Sequence, residues 1–111
     1  MALPNSDDSI LLLHNPKCSK SRETLALLEA RGVAFETRFY LESPLDDAEL
    51  VDLGTRLGKD ILAFTRTKQA EFGEAGLTKD SDPGAVRAAM TSTPILMERP
   101  ILIRGARAAI G

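Results

Sequence analysis

The chain opens on alternating apolar runs and helical spacings. Ile10-Leu11-Leu12-Leu13-His14 is an apolar run closed by one polar residue, the pattern of a buried strand in a parallel or mixed sheet. Asn15-Pro16 breaks it, because proline removes a backbone donor and turn residues cluster there. From Ser19 the period changes. Leu25 and Leu28, with Leu27, Ala26 and Ala30 beside them, recur every three to four residues up to Arg31-Gly32. That spacing predicts a helix over Ser19–Arg31 stopped by glycine. Residues 33–41, VAFETRFYL, carry β-branched and aromatic side chains in partial alternation and predict a second strand. Strand, helix and strand in this order make a βαβ unit with two parallel strands.

The middle of the chain is helical. Asp46 followed by Glu49 forms a capping-box start, and Leu50, Leu53 and Leu57 share one face before Gly58. A short helix is predicted over Ile61–Phe64 and another over Lys68–Ala75, stopped by Gly76. Asp82-Pro83 opens one more, with Asp as N-cap and Pro at the first helical position, running through Val86 and Met90. After Thr93-Pro94 strand texture returns in Ile95-Leu96-Met97 and, beyond Glu98-Arg99-Pro100, in Ile101-Leu102-Ile103. The tail Arg104–Gly111 shows no clear pattern. With no repeat, low-complexity segment or linker, the chain reads as one domain over residues 1–111, with a helical insertion over about residues 43–92.

Composition narrows the function. At 111 residues there is room for one compact domain. A formal charge of −2 argues against broad electrostatic attraction to nucleic acid. MALPNSDDS has neither the basic nor the apolar region of a signal peptide, and no apolar run is long enough to span a bilayer. The single cysteine allows neither an intramolecular disulfide nor a cysteine zinc cluster. The expectation is a cytoplasmic protein without nucleic-acid or membrane partners. If its thiol does redox chemistry, the resolving thiol comes from another molecule.

That thiol, Cys18, lies in HNPKCSKSR, residues 14–22, at the start of the predicted helix. Unpaired N–H groups and the positive end of the helix dipole favour a thiolate there and also bind oxyanions. Lys17, Lys20 and Arg22 add positive charge. His14, four residues upstream, is placed either to donate to the sulfur or to shape the loop. Ser21 stands where a dithiol enzyme holds its second thiol, and either hydrogen-bonds the sulfur or caps the helix with Ser19. A lone intracellular cysteine is commonly a small buried hydrophobe, but Lys, Ser and Arg are not core neighbours.

HNPKCSKSRETLALLE, YLESPL, FTRTKQAEFGEAGL and PILMERPILI together resemble the glutaredoxin-coupled arsenate reductases and their relatives, over about residues 10–111. The resemblance implies a thioredoxin-like α/β fold, a mixed β-sheet with flanking helices and a helical insertion between strands 2 and 3. It also implies that Cys18 is the nucleophile, that Arg66 and Arg99 bind the oxyanion, that His14 and Ser21 support them, and that the Arg99–Pro100 bond is cis. The chemistry is coherent, since a thiolate attacking arsenate brings two negative charges together. Two guanidinium forks, which stay protonated, offset that repulsion. The family also carries a further Arg and a C-terminal helix. This chain ends at about where that Arg would come, and Arg104 and Arg107 do not align with it. Either the sequence is truncated there or the protein lacks that third contact and the last helix, and without the helix some apolar sheet surface is expected to be uncovered.

The function so implied is reduction of arsenate to arsenite, with glutathione as co-substrate, glutaredoxin as partner, and no bound cofactor or metal. The absence of a second cysteine disfavours the thioredoxin-coupled reductases, which relay through several cysteines of their own. Two alternatives remain: a general monothiol oxidoreductase with another substrate, and a Spx-type regulator that binds RNA polymerase.

Overall fold

The computed structural model describes residues 3–111. Strand β1 (Ile10–His14) leads through the Asn15–Cys18 loop into helix α1 (Ser19–Ala30) and then β2 (Glu36–Phe39). Helices α2 (Asp47–Leu57), α3 (Ala70–Glu74) and α4 (Pro83–Ser92) follow, with a 3-10 turn at Ile61–Phe64 between the first two. A second 3-10 turn, Pro94–Leu96, precedes the hairpin β3 (Ile101–Arg104) and β4 (Arg107–Ile110). Strand β1 pairs parallel with β2 and antiparallel with β3, giving the order β2-β1-β3-β4. With α1 crossing between β1 and β2 and the helical insertion between β2 and β3, this is a thioredoxin-like fold.

Period-two alternation divides the sheet into two faces. Leu11, Leu13, Ile101 and Ile103 enter the main core with Leu50 and Leu53 of α2, Phe64, Val86 and Met90 of α4, and Leu96. Leu12 and His14 point the other way, toward α1, whose buried residues are Ser21 and Leu28. On that second face Leu102 is only partly buried and Ala109 is exposed, as is Leu27 of α1. Apolar surface is therefore left open beside α1.

Several boundaries differ from the sequence expectation. Strand β2 begins only at Glu36, because the register Leu11↔Glu36 to His14↔Phe39 leaves residues 33–35 without a partner on β1. Tyr40 already starts the next turn. Helix α1 ends at Ala30, with Arg31 as its C-cap, and α3 spans Ala70–Glu74 rather than residues 68–75. Ile95-Leu96-Met97 is not a strand. Pro94 holds its φ in the helical range, and the chain turns through Leu96. Only Met97 pairs, in a single antiparallel bridge with Thr65. The tail does have structure: Gly105, at φ +55°, turns the chain and β4 returns along β3. Only Ala108 and Ile110 of β4 meet the core, too little alternation to register as a strand.

The end of the sheet remote from Cys18 is tied by Arg56, whose guanidinium donates to the carbonyls of Pro4 and Gly105 (2.9 Å for the latter) and to Asn5 and Asp52. Among the described residues no helix is long and apolar enough to cross a membrane.

Candidate active site

The loop at the end of β1 is built from its own polar groups. Asn15 Oδ1 accepts from Lys17 N–H at 3.0 Å, and the Asn15 carbonyl accepts from Cys18 N–H at 3.0 Å. Ser21 Oγ, completely buried, accepts from Asn15 N–H at 3.0 Å and hydrogen-bonds His14 Nδ1 at 2.7 Å. Arg22 Nη1 closes the outer side on the Pro16 carbonyl at 2.9 Å. His14 stacks edge-on against Phe39, with ring centroids 5.7 Å apart. Burial, and then the charge of Arg22, lower the imidazole's pKa and favour its neutral form. The sequence left open whether His14 and Ser21 reach the sulfur or shape the loop. Their side chains bond one another and hold the loop.

Cys18 is the N-cap of α1, in extended conformation and partly buried, and its thiol is free. Burial of the sulfur works against ionisation. The backbone N–H of Ser21, the guanidinium of Arg99 and the N–H of Lys20 outweigh it and bring the pKa below that of an ordinary thiol.

Arg66 and Arg99 lie 33 positions apart in the chain, and backbone pairing brings their segments side by side. Glu98 N–H donates to the Phe64 carbonyl at 2.9 Å and Arg66 N–H to the Leu96 carbonyl at 2.7 Å, around the Thr65–Met97 bridge. The Arg99–Pro100 peptide is cis, and Pro100 is fully buried next to β3. Arg99 reaches toward Cys18, and among the described residues its only ion pair is with the neighbouring Glu98 at 3.5 Å. Among the described residues the Arg66 side chain donates one hydrogen bond, to the Ile95 carbonyl at 3.5 Å, and makes no salt bridge. A polar hollow of about 410 Å³ beside it is lined by Thr65, Arg66, Thr67, Lys68, Gln69 and Glu98.

Two residues at this site were not singled out from sequence. Asn15 organises the loop, and Tyr40 brings its hydroxyl to where Arg99, Arg66, Asn15 and Cys18 all bear on it. The signal for Tyr40 was that the only tyrosine in the chain follows directly on β2, the strand paired with β1. Arg104 and Arg107 are not part of the site. They pair with one another at the hairpin end, where Arg104 faces Ile10 rather than the Cys18 end of β1. A concavity of about 850 Å³ between α2, the Ile61–Phe64 turn and α4 contains none of the site residues. Among the described residues, no group of three or more His, Cys, Asp or Glu side chains is placed to hold a metal ion.

Known proteins are similar to this chain in sequence and in fold. The chain is 41% identical over 104 residues to an arsenate reductase of Neisseria meningitidis serogroup A, covering 92% of this chain and 89% of the relative. It is 38% identical over 105 residues to an arsenate reductase of Haemophilus influenzae, covering 93% and 90%. The solved structure of an arsenate reductase from Vibrio cholerae superposes with a TM-score of 0.88 at 42% identity, over 93% of this chain and 89% of that one. Residues 13–111, from the end of β1 to the last residue of the chain, match the ArsC family, and the chain belongs to that family.

Proposed function

We propose that this protein reduces arsenate to arsenite through Cys18, with glutathione and glutaredoxin supplying the electrons. The observation that carries this reading is a partly buried thiol held toward thiolate by helix N–H groups and by Arg99. Arg66, which makes no salt bridge among the described residues, bears on the same ground. The arsenate reductases among the relatives point to the same oxyanion.

The Cys18 thiolate attacks arsenic, the S–As bond forms, and an arsenate oxygen leaves as water or hydroxide. Arg66 and Arg99 offset the charge of the two anions brought together. A glutathione thiolate then attacks the Cys18 sulfur. The S–As electron pair passes to arsenic, arsenite departs, and a Cys18–glutathione disulfide remains. A glutaredoxin thiolate attacks the glutathione sulfur and frees Cys18. With a single cysteine in the chain, the second and third thiols of this cycle come from outside.

A coupled assay tests it, with glutathione, glutaredoxin, glutathione reductase and NADPH. Arsenate-dependent NADPH consumption is expected, and it disappears in Cys18→Ser. No arsenate-dependent rate, with glutathione–disulfide exchange retained, would instead identify a general monothiol oxidoreductase.

A further inference from the structure

Tyr40 is almost completely buried, at 1% exposure. Its ring packs among Leu45, Leu50, Met90, Pro94 and Met97, an apolar setting that a phenylalanine would fill equally well. Yet among the described residues no group stands at hydrogen-bonding geometry to the hydroxyl, although the Asn15 side chain is near enough to bear on it. Among the described residues only one other buried side-chain polar atom is in that position, and it is Nε of Arg99. A buried polar group without a partner is destabilising, and folded proteins keep few of them. Here both belong to one site.

The neighbours of the hydroxyl define the partner it lacks. Arg99 and Arg66 have no acceptor atoms. Asn15 Oδ1 accepts from Lys17 N–H, and the Asn15 side chain favours the ionised form of the phenol, the sense of a donor, so its NH₂ group is what faces the hydroxyl. Of these four groups only the Cys18 sulfur is an acceptor, and it is already faced by two backbone N–H groups and Arg99. The hydroxyl proton therefore sits among donors and cations. An acceptor that enters such a place is an anion.

We infer that the Tyr40 hydroxyl donates a hydrogen bond to an oxygen of the oxyanion held by Arg66 and Arg99, as a third and uncharged contact. This rests on the reading of the site as an oxyanion site. Arg99 is able to turn and admit the anion, because among the described residues its Nε is unbonded and its one ion pair is a 3.5 Å contact with a partly exposed Glu98. Burial also pushes the phenol pKa up to about 12, so the proton remains available wherever arsenate binds. A neutral donor strengthens the hold on the anion without further charge repulsion between the site's own groups.

The test uses Tyr40→Phe and the intrinsic emission of the chain. With one tyrosine and no tryptophan, that emission comes from Tyr40 alone. In Cys18→Ser, which binds without reacting, sodium arsenate is expected to change the tyrosine emission saturably, while sodium chloride at equal ionic strength leaves it unchanged. Tyr40→Phe is expected to melt at the same temperature as wild type or higher without arsenate. It should lose most of the arsenate-induced rise in melting temperature and raise KM for arsenate roughly tenfold or more, the effect of one hydrogen bond to a charged group, with a smaller change in kcat. If Tyr40→Phe melts lower without arsenate but keeps the wild-type KM and arsenate-induced rise, the hydroxyl is structural and the inference fails. An arsenate-induced rise in melting temperature with unchanged tyrosine emission also overturns it. If wild type shows neither an arsenate-dependent rate nor an arsenate-induced rise, the oxyanion reading itself has failed.

Discussion

At the scale of single residues, the reactivity of Cys18 is a balance of burial against three donors. Burial disfavours the thiolate, while Ser21 N–H, Arg99 and Lys20 N–H favour it and prevail. Alkylation by iodoacetamide reads this directly, because the chain has no other thiol. The pH midpoint of the alkylation rate is expected below that of an ordinary cysteine, and Arg99→Ala is expected to move it upward. A midpoint unaffected by loss of Arg99 would mean that the helix start alone controls the thiol. The residues of this site were unequally legible. Cys18, His14 and Ser21 stand in one local motif whose chemistry reads off the sequence. Arg66 and Arg99 came only through the family resemblance, since nothing local tells a guanidinium held at a site from a solvated one. Asn15 and Tyr40 were missed because their roles depend on which groups surround them in space.

At the scale of elements, caps and periods were read well and pairings less well. The Asp46–Glu49 start of α2 is present in both halves. Asp46 Oδ1 accepts from Glu49 N–H at 2.8 Å, and Glu49 Oε1 accepts from Asp46 N–H at 3.1 Å. Not legible was that Glu49, only 4% exposed, also binds Arg38 of β2 through both carboxylate oxygens, at 2.5 and 3.1 Å. Arg38 in turn donates to the carbonyls of Ser43 and Pro44 at 2.9 and 2.8 Å. The pair thus fastens the turn after Tyr40 to both β2 and α2. Glu49→Ala leaves the Arg38 guanidinium buried without its counter-charge and is expected to cost about 3–5 kcal/mol. Asp46→Ala removes only a cap, about 1 kcal/mol. Urea unfolding of the two variants checks the ranking, and equal losses would show that Arg38 finds water instead. The strand assigned to residues 95–97 and the overlooked β4 fail for a related reason. A run of three apolar residues fits a turn as readily as a strand, and a four-residue strand with two alanines shows almost no period.

At the scale of the whole molecule, the site and its anchorage occupy opposite ends of the sheet. Cys18, Arg99 and Pro100 gather where β1 ends and β3 begins, while Arg56 grips the other end. Its side chain, only 5% exposed, joins the segment before β1, helix α2 and the β3–β4 turn through Pro4, Asn5, Asp52 and Gly105. Arg56→Ala breaks these bonds together and leaves two carbonyls without their donor, a loss of about 2 kcal/mol. For a domain of this size that corresponds to a melting temperature roughly 10 °C lower. The Cys18 loop is closed by its own bonds among Asn15, Ser21, His14 and Arg22, none of which involves Arg56. The alkylation midpoint of Cys18 and the KM for arsenate, measured well below the melting temperature, are therefore expected to match wild type. A shift in either would mean that the far end of the sheet communicates with the thiol, and that the loop does not hold its geometry by itself.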